Sequence, residues 1–337
     1  MRRRGTRVKI TRVRKTAIAI AAGALLLSGC SNSDSESAGG AYAGPVQDTP
    51  GTINVLAWPG YAEDGSTDPK VDWVTPFEKE TGCTVNVKTY GTSDEAVQLM
   101  QSGGYDVVSA SGDASLRLIF GGDLQPVNLD LIPNYADVFA NLKDRPWNTI
   151  DGANYGVPHG RGANVLQYTI DKVKPAPDSW SVVWEPNSPL KGKITAYDSA
   201  IYIADAAVYL MSTKPDLGIT DPYALDQTQF DAAMELLKQQ KPLVAEYWAD
   251  YTKYVAAVQA GSIVAGTSWQ VIANVLNGEK STVGAVKPKE GATGWSDTWM
   301  ISKNTEAIDC AYKWLNWIIS PATNAQAAEY FGEAPAN

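Results

Sequence analysis

The chain has 337 residues, with 28 lysines and arginines against 37 aspartates and glutamates and a single histidine, for a formal net charge of −9. Eight of the basic residues and none of the acidic ones precede residue 30, so the remainder carries 20 basic against 37 acidic side chains, a formal −17. So acidic a surface disfavours nucleic acid and anionic headgroups and attracts cationic solutes, while one histidine and three cysteines argue against a structural zinc site.

Arg2 to Lys15 form a charged leader, and the apolar run Ala17 to Leu27 is too short for a permanent membrane span. Leu27-Ser28-Gly29-Cys30 then reads as a lipobox, with small residues for a signal peptidase and a thiol to carry the lipid. Residues 1–29 are therefore expected to be a lipoprotein signal peptide and Cys30 the lipidation site. A plain secretory peptide followed by a structural cysteine is the alternative. Residues 30–51, rich in Ser, Gly, Asp and Pro, are expected to be a flexible tether. No later apolar run approaches membrane length, so any membrane contact is expected through the lipid alone.

Thr52 to Trp58 alternates as a half-buried strand, stopped by Pro59-Gly60. Asp72 to Thr81 has helical spacing and a Gly82 stop, and Thr84 to Tyr90 is a second strand. Thr92 and Glu95 have capping-box spacing before a helix through Met100, and Tyr105 to Ser109 is a third strand. A second run follows Tyr155-Gly156-Val157-Pro158: strands at Asn164–Ile170, Lys193–Tyr197 and Ser262–Trp269, and helices at Ser199–Met211, at 227–240 capped by Asp226 and Gln229, around Tyr251–Ala260 and at Gln270–Leu276. In the helix ending at Gln240, Phe230, Ala233, Met234 and Leu237 form the expected buried stripe. Trp299–Ser302 reads as a strand and Glu306–Ile319 as a helix. The alternation predicts an α/β chain with mainly parallel sheets, in two lobes.

With Cys30 committed to lipid, Cys83 and Cys310 are an even pair in an oxidising compartment; a disulfide is the economical expectation and two separately buried thiols the alternative. His159 has no serine elbow nearby and reads as an ordinary loop or hinge residue. No phosphate-binding glycine motif is present. Paired carboxylates for glycoside hydrolysis stay open, since their separation is not visible in sequence.

The informative pattern is the gathering of aromatic and acidic residues at strand ends: Trp58-Pro59-Gly60-Tyr61, Asp198, Trp269 and Trp295-Ser296-Asp297. Carboxylates neutralise ammonium groups, and aromatic faces hold methylene chains and attract cations. Core packing for any one tryptophan and a helix N-cap for Asp198 are the competing readings.

Trp58-Pro59-Gly60-Tyr61, Phe77 to Gly82, Tyr105-Asp106-Val107-Val108, Lys191-Gly192-Lys193-Ile194, Lys289-Glu290-Gly291 before Trp295-Ser296-Asp297, and Gly332-Glu333-Ala334-Pro335 occur in an order that resembles the spermidine/putrescine-binding proteins of bacterial ABC importers, from Thr52 to Asn337. The resemblance implies a type II periplasmic-binding-protein-like fold and a polyamine ligand in the cleft. It assigns Trp58 and Tyr61 to an aromatic wall, Ser111 to a polar cleft position, Asp198 to a terminal amine, Trp269 and Trp295 to stacking, and Asp297 to a second amine. Three positions depart from the family: Asp113 and Glu333 stand where tyrosines are usual, and Ile201 where a second acid is usual. Asp113 or Glu333 is the expected replacement for that acid. The family also usually continues past the position of Asn337 with helices that add a cleft residue, so either this sequence is a fragment or this member lacks that cap. The expected lobes are residues 52–158 with 298–337, and 159–297, with hinge strands near 157–161 and 295–300. The expected protein is a monomeric, lipid-anchored receptor on the outer face of the membrane. It serves importer permease subunits and has neither catalysis nor cofactor. A sugar-binding receptor and a lipoprotein glycosidase are the rival classes.

Overall fold

The computed structural model describes residues 40–278 and 280–337; the expected signal peptide, the expected lipobox and Cys30 lie outside the described residues. The chain forms two lobes, each built on one mixed sheet. The first sheet contains β1 (Gly51–Ala57), β2 (Cys83–Thr89), β3 (Val107–Ser111), β6 (Gly156–Ala163), β12 (Gly294–Ile301) and β13 (Ala334–Pro335), in the order β13-β6-β12-β3-β1-β2. The second contains β7 (Val165–Thr169), β8 (Ile194–Tyr197), β9 (Val244–Trp248), β10 (Ala265–Ser268) and β11 (Val283–Val286), in the order β11-β7-β10-β8-β9. A small hairpin, β4 (Thr149–Ile150) with β5 (Ala153–Asn154), stands apart from both.

In the first lobe, β1 pairs in parallel with β2 and β3 through α1 (Val74–Thr81) and α2 (Ser93–Ser102), while β12 runs antiparallel between β3 and β6. The helix ends follow local chemistry. Gly82, at φ 70°, ends α1 and returns its N–H to Glu78 O. Thr92 Oγ1 accepts from the Glu95 N–H at 3.2 Å, but the Glu95 carboxylate accepts from Gly91 N at 2.8 Å, one residue before the position a capping box requires. Three further helices complete this lobe: α3 (Gly112–Gly121), α9 (Ile308–Ile318) and α10 (Pro321–Phe331). Trp73, Phe77, Trp299, Trp314 and Tyr312 fill its core.

The second lobe carries α4 (Ser181–Trp184), α5 (Tyr202–Thr213), α6 (Gln227–Gln240), α7 (Tyr251–Gln259) and α8 (Gln270–Asn277). Asp226 and Gln229 close a complete capping box on α6, at 2.9 and 3.0 Å. The buried side of α6 is Ala233, Leu236 and Gln240; of the expected stripe Ala233 is buried, Met234 and Leu237 are half-buried, and Phe230 is exposed at the cleft. The physical reason is Gln240, whose buried amide donates to Val183 O and Tyr202 Oη and turns the helix face toward α4 and α5.

The chain passes from one sheet to the other at Asn164 and returns before Gly294, whereas the sequence alone places the lobe boundaries at 158/159 and 297/298. Glycines at 156, 160 and 162 break the apolar alternation of β6, so its full length is hidden in the sequence. Both passages are tied together. Asn164 N–H donates to Thr293 O at 3.0 Å. Trp269 Nε1 donates to Asn164 Oδ1 at 3.1 Å, Asn164 Nδ2 to Thr293 Oγ1 at 2.6 Å, and Thr293 Oγ1 to Asp205 Oδ1 at 3.0 Å.

Asp205 is buried, and burial, opposed by the Thr293 bond, raises its carboxyl to about 7. Between about pH 4 and 7 the folded state therefore holds a proton that the unfolded chain has released, so stability falls as pH rises through that window. Asp205→Asn, which keeps the acceptor for Thr293, is expected to raise the melting midpoint at pH 8 and flatten its change between pH 5 and 8. A mutant curve parallel to wild type across that range would exclude Asp205 as a cause.

Residues 42–49, expected to be free tether, lie along the first lobe. Tyr42 packs against Tyr312 at 5.8 Å between ring centroids, and its carbonyl accepts from Asn128 Nδ2. Gln47 N and Thr49 Oγ1 donate to the two oxygens of Asp309, at 2.9 and 3.0 Å. A disulfide joins Cys83 at the start of β2 to Cys310 in the first turn of α9, with Cα atoms 5.9 Å apart. Among the described residues no helix is long and apolar enough to cross a membrane.

Candidate functional site

Between the lobes lies a cleft of about 990 Å³ lined mainly by aromatic and aliphatic side chains. Its position follows from the sheets: ligands of α/β folds sit where strand ends deliver loops to a shared crevice. From the first lobe β1 delivers Trp58 and Tyr61, β3 delivers Ser111 with Asp113 two residues on in the first turn of α3, and β12 delivers Trp295 and Asp297. From the second lobe come Tyr197 at the end of β8, Ile201, and Trp269 at the end of β10. Trp58 packs on Tyr90 at 4.4 Å and meets Trp269 edge-on at 5.8 Å, an aromatic contact across the cleft.

Asp297 is the chemical centre. It is 3% exposed, faces the cleft, and accepts from Ser111 Oγ and from Tyr61 Oη, the latter at 2.7 Å. Among the described residues no lysine or arginine lies within 4.0 Å of it. Burial raises its carboxyl to about 6 against the lowering effect of those two hydrogen bonds, and the neighbouring Glu333 adds to the rise. A desolvated carboxylate with hydrogen bonds but no countercharge invites a cation or a proton. Asp113 is a second acid on the same cleft. Burial raises its carboxyl too, partly offset by a 3.0 Å bond from Ser93 Oγ and by the Ala114 N–H at the start of α3.

Two assigned positions lie elsewhere. Asp198 is exposed and borders a separate depression with Asp94, Lys238 and Tyr247, because β8 ends one residue earlier and turns its last residue, Tyr197, to the cleft. Asp198→Asn is therefore expected to leave ligand affinity as it is. Glu333 sits behind the cleft rather than in its lining. Its side chain is fully buried, with Oε2 3.3 Å from Tyr61 Oη and Oε1 3.1 Å from His159 Nε2. Tyr61 has one hydroxyl proton and gives it to Asp297, so Glu333 acts on the site through Tyr61.

His159 is not a loop residue but a buried member of β6. Its Nδ1 accepts from Trp299 Nε1 at 2.9 Å, which places the ring proton on Nε2, toward Glu333. That contact is close but off the N–H line, so neither atom completes a regular hydrogen bond. Gly160 makes the approach possible: a Cβ there would stand 2.7 Å from the Glu333 carboxylate and 2.9 Å from the Ala334 carbonyl. Gly160→Ala is expected to cost about 1–3 kcal/mol in chemical denaturation, through overpacking against backbone. A variant as stable as wild type would show that β13 can retreat freely.

Sequence reasoning missed Trp147, Tyr223, Arg145 and Arg161, all cleft-lining. Trp147 and Arg145 lie in an irregular stretch without periodicity, where only the Arg-Pro-Trp cluster hinted at a site, with the Arg145 guanidinium 5.2 Å from the Trp147 ring centroid.

The family of bacterial extracellular solute-binding proteins matches residues 72–337. The chain belongs to that family. This solute-binding protein is 28% identical over 275 residues to the putrescine-binding periplasmic protein SpuD of Pseudomonas aeruginosa, covering 77% of this chain and 72% of that one. It is 25% identical over 285 residues to the spermidine/putrescine-binding periplasmic protein of Escherichia coli, covering 83% and 76%. In structure it resembles a putative spermidine/putrescine ABC transporter protein from Listeria monocytogenes, with TM-score 0.71, 22% identity, and 85% and 83% of the two chains covered. The Tp0655 lipoprotein of Treponema pallidum superposes with TM-score 0.69 at 20% identity, covering 84% of each chain. The two-lobed periplasmic-binding fold and a role in binding solutes rather than in catalysis follow.

Proposed function

We propose that this extracellular solute-binding protein captures an amine-bearing cation of the polyamine class and delivers it to the permease subunits of an ABC importer. The observation that carries the reading is Asp297: a buried carboxylate on the cleft wall, hydrogen-bonded by Ser111 and Tyr61, without a cationic partner among the described residues. An ammonium group supplies the missing charge and is attracted to aromatic faces by about 0.5–2 kcal/mol per cation–π contact, while Trp58, Trp269 and Trp295 also offer faces for the methylene chain. Asp113 stands as the second acid of the same cleft. Relatives that bind putrescine or spermidine support the same class. Ligand contacts available only when the lobes close favour the closed state, the form offered to the permease. The protein works as a monomer, held to the outer face of the membrane by a lipid on Cys30 as the lipobox suggests.

Calorimetry with putrescine, spermidine and a neutral disaccharide tests this. Amine binding that weakens with ionic strength, with no heat from the sugar, is the expected result. Sugar binding without amine binding sinks it.

A further inference from the structure

We infer that the cleft takes amines that also carry a carboxylate, chemically the ω-amino acids, and that Arg145 and Arg161 hold the carboxylate while Asp297 holds the amine. The amine end rests on the reading above; the other end does not. Arg145 and Arg161 line the same cavity as Asp113 and Asp297, yet among the described residues neither guanidinium has a carboxylate within 4.0 Å. The Asn141 amide oxygen, in the orientation that satisfies both groups, accepts from Arg161 Nη1 and Nη2 at 3.2 and 3.3 Å and steadies that side chain without neutralising it. Positive charge in a cleft built only for a diamine repels the ligand.

The unpaired donors point the same way. The Nε atoms of Arg145, Trp58 and Trp295 are buried without an acceptor, and all three residues face this cavity. Buried donors are rarely left unpaired. A fully protonated polyamine has N–H donors and no acceptor, so it satisfies none of them; a carboxylate is acceptor-only, with two oxygens that suit guanidinium forks and indole N–H groups. The two ends are also within reach of each other. On the paired strands β12 and β6, Trp295 lies opposite Gly162 and Asp297 opposite Gly160, with Arg161 between the two glycines. Asp297 and Arg161 therefore share one short stretch of sheet without pairing with each other, Arg145 reaches the same cavity from its irregular stretch, and a ligand of opposite end charges complements both.

Calorimetry at pH 7.5 on wild type, Arg145→Gln and Arg161→Gln, each titrated with putrescine, spermidine, 4-aminobutyrate and 5-aminopentanoate, tests the assignment. Wild type is expected to bind one of the ω-amino acids at least as tightly as putrescine. Either arginine variant should weaken that ligand about tenfold or more while tightening putrescine, a gain only a folded variant can show. Diamine binding with no ω-amino acid binding overturns this inference and leaves the polyamine reading standing. Binding of an ω-amino acid that both arginine variants leave unchanged also overturns it. No binding of any amine overturns both.

Discussion

Asp297→Asn is expected to weaken amine binding by about 100-fold or more in calorimetry. The asparagine keeps the shape and one acceptor oxygen, so the loss reports the charge. The same change removes an ionised group that burial penalises, so the melting midpoint of the ligand-free variant at pH 7.5 should stay level or rise, which separates lost binding from lost folding. Wild-type affinity carries a matching pH signature. The Asp297 carboxyl titrates at about 6 in the ligand-free fold, and only its ionised form neutralises an ammonium. Affinity should be level above about pH 7 and fall by up to about tenfold per unit below pH 6, with proton release on binding there. Affinity that stays flat from pH 7.5 to 5 would rule out Asp297 as the principal countercharge.

The second large effect concerns stability. Cys83 and Cys310 are 227 positions apart in sequence, so their bond removes a large loop from the unfolded ensemble. The chain-entropy estimate for a loop of that length is about 5 kcal/mol. Cys83→Ser with Cys310→Ser, or reduction, is expected to lower the melting midpoint by about 10 °C or more. The bond joins β2 to α9 on the first lobe, away from the cleft, so amine affinity measured well below the new midpoint should survive. A double variant with an unshifted midpoint would mean that the packing of α9 alone holds the two segments together.

The regular elements with strong alternation or clear caps are legible in the sequence itself: β1, α1, β2 and the capping box of α6 fall within a few residues of where the sequence puts them. Elements without that contrast are not. β9 is an edge strand with Ala245, Glu246 and Tyr247 exposed, so its alternation is faint. The alanine-rich α10 has almost no amphipathic contrast despite its buried residues. At the site, strand-end aromatics pointed to loops that line the cleft, because a strand's exit fixes where its next residues lie. Sequence did not distinguish Tyr197 from Asp198, neighbours at one strand end, of which only the first lines the cleft. Nor did it reveal that Glu333 supports Tyr61 from behind, since such a contact depends on β13 pairing with β6 across more than 170 residues of chain.

The lacing of the two inter-sheet passages has a mechanical consequence. Two independent covalent links between rigid bodies would let each strand twist on its own, giving the lobes several soft modes. Here Asn164 and Thr293 are bonded to each other through backbone and side chains, and Asp205 of α5 anchors the knot. Torsion in one link is thereby passed to the other, so the two passages turn together. Trp269, at the end of the same chain of bonds, ties the cleft wall to them.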